Sequence, residues 1–423
     1  MAHVPPPLAP ACVLGFRPSV RSPLSWMSDG ELLLSAGPRT LSRFDTDTRA
    51  QSLVHASPEA VAITAMAVSP GRGQILVAEF HHDGSSALVL HELGEDGGPA
   101  SPAAGAATPG TGGRRRRRAI AGVELGSGPV VALNFTPDGR HFLVASAGPD
   151  VTLSYVAWGA SRVVATARNV TGPGPGCVPS ALPIAQVDAC VQDPSRFLVS
   201  GAGTLRMYAH GKDDEKLAPA MLDLRGEAPP AWSCHAWVNE DRFLAGTAGG
   251  EVFLFEGGSL RKRLACGKKG APPSPVASLL PLGAGFLAGC DGGVIRLFDK
   301  SDIATNYYSL AHSVAISVKA GEAGEEPTAA PAGAAGRVVA LAASPSEDEV
   351  AAATAGGGVF TFSAAKLEAV RKGGRTDFFA WALGGLHPFW CGAQGAQSRA
   401  ELAAMLASGG APPPVVSPLG GTS

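Results

Sequence analysis

Short apolar runs recur along most of the chain in pairs, each pair split by a tight turn. In every pair the second run is followed by a turn of small residues and then by an alternating stretch that ends near an aromatic. The segments are ELLLSAGPRTLSRFD (31–45), FLVASAGPDVTLSYV (142–156), FLVSGAGTLRMY (197–208), FLAGTAGGEVFLFE (243–256), FLAGCDGGVIRLFD (286–299) and VAAATAGGGVFTF (350–362). QILVAEFHHDGSSALVLHE (74–92) is a looser copy. The first members of the pairs are 24–26, 61–68, 130–135, 184–191, 232–238, 276–280 and 338–343. Turn residues follow each of them, as in Ser69-Pro70-Gly71, Thr136-Pro137-Asp138-Gly139 and Asn239-Glu240-Asp241. Gly, Pro, Asp and Asn supply the φ values that hairpins need.

Each unit therefore reads as strand, hairpin, strand, hairpin, strand. The turn-to-turn spacing is roughly 41 to 47 residues where no long insert intervenes, the period of WD-type propeller blades. The middle runs (LVASA, LVSG, LAGT, LAGC) are small and apolar throughout, as a strand covered on both faces must be. The third run alternates, so Arg296 in VIRLF is expected to face away from its neighbours. Candidates for an outer fourth strand are 51–55, 119–125, 162–168, 217–222, 259–266 and 306–310. In the seventh unit either 12–17 or 378–383 can close the ring and remove an open sheet edge. The expected fold is all-β, a seven-bladed WD40-type β-propeller spanning about 13–383.

Composition refines this picture at the inserts. Gly (55) and Pro (35) exceed a fifth of the chain, and the excess is concentrated in a few stretches. Inserts at about 94–118 and 320–336 and a tail at 408–423 have too few large apolar side chains to pack, and disorder is expected there. Residues 1–12 are expected to be disordered and 398–406 to form a short helix within 384–423.

A net charge of −2, with 17% charged residues, argues against general nucleic-acid binding, which needs a broad basic field. The N-terminal MAHVPPPLAPACVLGF has no basic start before an apolar stretch, so no signal peptide is expected. No apolar run reaches the length of about 18 residues that a membrane span needs. The seven cysteines, at 12, 177, 190, 234, 266, 290 and 391, include no C-x-x-C pair and read as reduced thiols.

No catalytic or metal-binding spacing stands out. His81-His82-Asp83 sits in a hairpin turn with no third ligand in view, so neither metal nor cofactor is expected. His235 lies within an inner run and reads as a satisfied buried histidine. The glycine clusters Gly249-Gly250 and Gly356-Gly357-Gly358 join two strands, so they lack the helix N-terminus that holds a phosphate. The one strong charge cluster is Arg114, Arg115, Arg116, Arg117 and Arg118. Five adjacent arginines on a loop can engage a polyanion or an acidic protein tail; otherwise they are a solvated run in a biased insert.

The stretch AWSCHAWVNEDRFLAGTAGGEVFLFEGGSLRKR (231–263) resembles the first propeller of the cilia- and flagella-associated protein 57 family of axonemal WD-repeat proteins. TAMAVSPGRGQILVAE (64–79), GVIRLFDKSDIATNYY (293–308) and ASPSEDEVAAATAGGGVFTFSAAKLE (343–368) resemble it too, and the likeness runs from about Val13 to His387. The resemblance implies a non-catalytic scaffold of motile cilia or flagella. It also implies axonemal partners: inner-arm dyneins or their regulators, doublet-microtubule proteins and other cilia-associated WD-repeat proteins. The family continues into a second propeller and a coiled coil, which this sequence lacks, so a fragment or a short relative is expected. The Trp-Asp signature is replaced by Phe44-Asp45, Phe255-Glu256 and Phe298-Asp299, so the internal polar tetrad of WD repeats is expected to be missing from most blades. A general WD-repeat adaptor in ubiquitin ligation or transport is the alternative; a propeller hydrolase is disfavoured, because the strand ends carry Ala, Gly, Ser and Thr.

Overall fold

The computed structural model describes residues 16–20, 22–93, 117–126, 128–147, 151–168, 170, 184–201, 203–211, 214–267, 274–301, 307–316 and 336–363, and the backbone of 381–382. Most of the expected disordered inserts, the 398–406 helix and the tail lie outside the described residues.

Seven antiparallel four-stranded sheets, the blades, follow one another. Blade 1 is β1 (Leu24–Ser28), β2 (Glu31–Gly37), β3 (Thr40–Asp45) and β4 (Gln51–His55). Blade 2 is β5 (Ala60–Val68), β6 (Gln74–His81), β7 (Ser86–Glu92) and β8 (Arg117–Ile120). Blade 3 is β9 (Val130–Phe135), β10 (His141–Ser146), β11 (Leu153–Ala157) and β12 (Arg162–Ala167). Blade 4 is β13 (Ile184–Ala189), β14 (Arg196–Gly201), β15 (Thr204–His210) and β16 (Leu217–Ala220). Blade 5 is β17 (Trp232–Trp237), β18 (Arg242–Thr247), β19 (Glu251–Glu256) and β20 (Ser259–Ala265). Blade 6 is β21 (Val276–Leu282), β22 (Gly285–Cys290), β23 (Val294–Lys300) and β24 (Tyr308–Ala315). Blade 7 is β25 (Val338–Ala343), β26 (Glu349–Thr354), β27 (Val359–Ser363) and the two-residue β28 (Trp381–Ala382).

The all-β propeller expected from the repeat is the fold observed. The second strand of each blade is the most buried, because a neighbouring blade covers each face. Phe142, Phe197, Phe243 and Phe286 hold the same place in β10, β14, β18 and β22, all 1% exposed or less. Phe243 stacks on Phe255 and Phe286 on Phe298, with centroids 4.7 and 4.5 Å apart, so each sheet carries its own aromatic pair. The apolar core is split into clusters, each shared by two successive blades, and one of them joins blade 7 back to blade 1 through Ala351, Ala353, Leu32 and Phe44. Trp26 Nε1 also donates to the Ala342 carbonyl at 3.1 Å across this closure.

Ring closure uses the C-terminal alternative: β28 pairs with Phe360 and Thr361 of β27. Of the rival segment 12–17, Phe16 and Arg17 are described and form no strand. Phe16 instead packs into the blade 7–blade 1 cluster. Two expected outer strands shift. Blade 2 ends on Arg117–Ile120 because Ile120 is buried opposite Leu88, whereas 121–125 leave the sheet. Blade 6 ends on Tyr308–Ala315, where Tyr308 packs against Phe286.

A bulge recurs near the start of the innermost strand. The register skips one residue between Ala60 and Ala62, Val130 and Ala132, Ile184 and Gln186, Trp232 and Cys234, Val276 and Ser278, and Val338 and Ala340. Such bulges bend a strand and sharpen its twist. They also bring blades close: a Cβ on Gly246 would lie 2.6 Å from Cys234 Sγ and 2.9 Å from Val276 of the next blade. That approach, not turn geometry, is why glycine stands third in the LAGT run.

Candidate interaction site

The strand order places the connections on two faces. The turns after the first and third strands of each blade lie on one face; the turns after the second strand and the links between blades lie on the other. The bulged residues Ala185, Ser233, Ala277 and Val339 surround the channel mouth on this second face, where they line a cavity of about 680 Å3. Bulges re-aim side chains at such rims. Gln186, Ser278 and Arg337 add polar groups to a wall that already carries Ser22 and Ser233.

The innermost strands of blades 3, 4 and 5 share a polar set that is partly buried. Asn134 (β9) and Gln186 (β13) donate to Asp188. Gln186 clamps the backbone of His235 (β17), donating to its carbonyl at 2.8 Å and accepting from its N–H at 3.1 Å. His235 Nδ1 is 2.7 Å from Ser200 Oγ, and its Nε2 is 3.3 Å from Asp188 Oδ2 but poorly aligned for a hydrogen bond. Burial raises the Asp188 pKa, but His235, Gln186 and Asn134 outweigh it and hold the carboxyl below its ordinary value. Ser, His and Asp in this order resemble a nucleophile, base and carboxylate. Ser200 and His235 have no exposed surface, so the hydroxyl and the imidazole are closed to a substrate, and the set ties three blades together. This network is centred on the buried histidine expected from the sequence.

The arginine run divides. Arg114, Arg115 and Arg116 lie outside the described residues. Arg117 and Arg118 are not on a loop; they open β8. Arg117 Nη2 is 3.2 Å from Oε2 of Glu79 and also donates to Ser57 Oγ, which itself bonds Glu79. Glu79 is wholly buried in β6. A carboxylate there needs a cation, and that requirement draws Arg117 into the fold. Arg118 donates to the Trp158 carbonyl at 3.3 Å and lies over the Trp158 ring at 5.8 Å, bridging blades 2 and 3. The sequence held a signal for the first contact: Glu79 is the one acid inside ILVAEF, a run otherwise fit for burial.

His81 closes β6, with Nε2 3.6 Å from Glu79. Among the described residues no cluster of three or more His, Cys, Asp or Glu side chains has the geometry of a metal site. Arg296 departs from the expected outward orientation: it is half-buried, with its Nε shielded from solvent.

No family model matches the chain. It is 24% identical to mouse (Mus musculus) cilia- and flagella-associated protein 57 over 249 residues, which are 59% of this chain and 18% of that protein. The resemblance read from the sequence is thus recovered by alignment, and its extent fits a single propeller. The chain spans less than a fifth of that relative. Among solved structures, the WD40 repeats of RRP9 superpose with a TM-score of 0.53 at 12% identity, covering 82% of this chain and 88% of that one. A chain of a mitotic checkpoint complex gives 0.57 at 11% identity, covering 84% and 93%. These two likenesses show the WD40-type fold alone.

Proposed function

We propose that this chain is a non-catalytic WD-repeat scaffold of the ciliary or flagellar axoneme. In this reading it binds protein partners and takes part in docking or positioning inner-arm dyneins on doublet microtubules. The similarity to cilia- and flagella-associated protein 57 carries the reading, since the propeller alone is compatible with many roles. Two features support it. Ser200 and His235 of the Ser–His–Asp set have no exposed surface, and Asp188 and Gln186 are engaged with His235. What the described ring offers partners is its two faces, the mouth cavity among them.

The test is to express the tagged full chain in ciliated cells and extract the membranes with detergent. Retention along the axoneme is expected. A diffuse cytosolic signal, or accumulation in the nucleus, would overturn the axonemal assignment and favour a general WD-repeat adaptor.

A further inference from the structure

Three exposed arginines gather around one tryptophan at the turn between the third and fourth strands of blade 3. Trp158 follows β11 and is half-buried. Its Nε1 donates to the Gly139 carbonyl at 2.8 Å, which fixes the indole against the turn that precedes β10. Arg140 is the next residue in that turn. Ala157, the residue before Trp158, pairs with His141 on one side and with Arg162 on the other, so Arg140 and Arg162 flank the end of β11. Neighbouring strands lie about 4.8 Å apart, which sets the two backbones roughly 10 Å from each other. Arg118 comes from the outer strand of blade 2. Its guanidinium lies 5.8 Å from the centre of the Trp158 ring and donates to the Trp158 carbonyl at 3.3 Å.

None of these three takes part in an ion pair among the described residues. Elsewhere on the ring Arg43, Arg242, Arg261, Arg263 and Arg337 each meet a carboxylate at 2.9 Å or less. The acid nearest to Arg140 in sequence is engaged within its own turn: Asp138 accepts the Thr136 hydroxyl at 2.5 Å and the Arg140 N–H at 3.0 Å, and it lies 3.6 Å from His141. Like charges held within about 10 Å repel one another at physiological salt. The cluster therefore works against the stability of the fold until something outside it supplies negative charge.

We propose that Arg118, Arg140 and Arg162, arranged around Trp158, dock an acidic peptide segment of a partner protein. Guanidinium forks match carboxylates in shape as well as charge. An extended peptide rises about 3.3 Å per residue, so carboxylates two or three residues apart reach successive arginines. The stack on Trp158 holds Arg118 in place before the peptide arrives, which lowers the cost of ordering it. Two other polyanions fit less well. Nucleic acid calls for a broad basic field, and the chain carries a net charge of −2. A lipid surface calls for apolar side chains beside the charges, and none of the exposed large apolar residues, Val61, Val191 and Met221, belongs to blade 3. The site requires neither Arg114–Arg116 nor a ciliary location.

The test is the fluorescence anisotropy of a fluorescein-labelled octaglutamate peptide titrated with the full chain at low ionic strength. The double variant Arg140→Ala, Arg162→Ala leaves the run Arg114–Arg118 and the Trp158 contacts in place. It is expected to bind about fivefold more weakly, the combined effect of two exposed charges, and to unfold at the parent's temperature or above it. A second double variant, Arg168→Ala, Lys216→Ala, removes the same charge from exposed positions outside the patch and should bind as the parent does. Failure of the parent to bind the peptide would overturn the proposal. Equal weakening in both double variants would also overturn it, leaving net charge as the cause. A single-stranded oligonucleotide or a phosphatidylserine vesicle that the parent holds more tightly than the peptide, and that the first variant releases, would reassign the patch to that polyanion.

Discussion

The guanidinium of Arg117 lies 3.2 Å from Oε2 of Glu79, a carboxylate with no exposed surface. The pair joins the outer strand of blade 2 to its second strand, and it converts part of an apparent surface run into a structural element. Glu79 also accepts the Ser57 N–H at 3.1 Å and the Ser57 hydroxyl, but these are neutral donors, so removing Arg117 leaves a buried charge without its guanidinium. Arg117 is itself 38% exposed, so water takes over part of its role. Arg117→Ala is therefore expected to cost about 1–3 kcal/mol in chemical denaturation, less than the loss of a fully buried pair. Arg118→Ala should cost about 0.5–1 kcal/mol, because its contacts with Trp158 are at the surface. Equal costs for the two would show that Glu79 is satisfied without Arg117.

Phe197, Phe243 and Phe286 occupy one position in three successive blades, each closed over by a neighbouring sheet. Truncating any of them to alanine should destabilise by about 3–5 kcal/mol, as for other buried phenylalanines. A cost below about 1 kcal/mol at one of them, measured by denaturant unfolding, would mean that its site can collapse and that the blades are not equivalent there.

The fold was legible because its signal is periodic. The FLVSG and FLAGT runs carry the burial of the second strand, and Asp138-Gly139 or Asn239-Glu240-Asp241 carry the hairpins. Outer strands were read less well, since one face is solvated and their ends depend on single contacts such as Ile120 with Leu88. The cross-blade contacts were not legible. Nothing near Gln186 or Asp188 in sequence indicates His235, 49 and 47 residues on. Alternation gives the face a side chain takes, not the neighbour that the next sheet supplies.

Asp188 gives a pH signature. Its folded pKa is below its unfolded value, so its contribution to stability is complete above the unfolded value, near pH 4, and is lost as pH falls through the folded one. Other acids titrate in the same range, so the measurement is a difference. The stability gap between the parent chain and Asp188→Asn is expected to narrow from about pH 6 to about pH 3 in urea titrations. A gap that stays constant over that range would show that Asp188 titrates alike in folded and unfolded chains.

The remaining arginines define the last prediction. Replacing all five residues of the run would mix two effects, because Arg117 neutralises Glu79 and Arg118 docks on Trp158. Replacing only Arg114, Arg115 and Arg116 with alanine keeps both contacts. In sequence these three immediately precede β8, the outer strand of blade 2. If the propeller sits on doublet microtubules, the acidic tubulin tails are within the chemistry such a cluster recognises. Exposed charges act collectively on encounter and are screened by salt. The triple variant is expected to unfold at the same denaturant concentration as the parent and to co-sediment less with microtubules at low ionic strength. The difference should disappear at moderate salt, where the screening length falls below about 10 Å. Equal binding of parent and variant at both salt concentrations would leave Arg114–Arg116 as a passive part of the insert and move the search for a microtubule contact to the described faces of the ring.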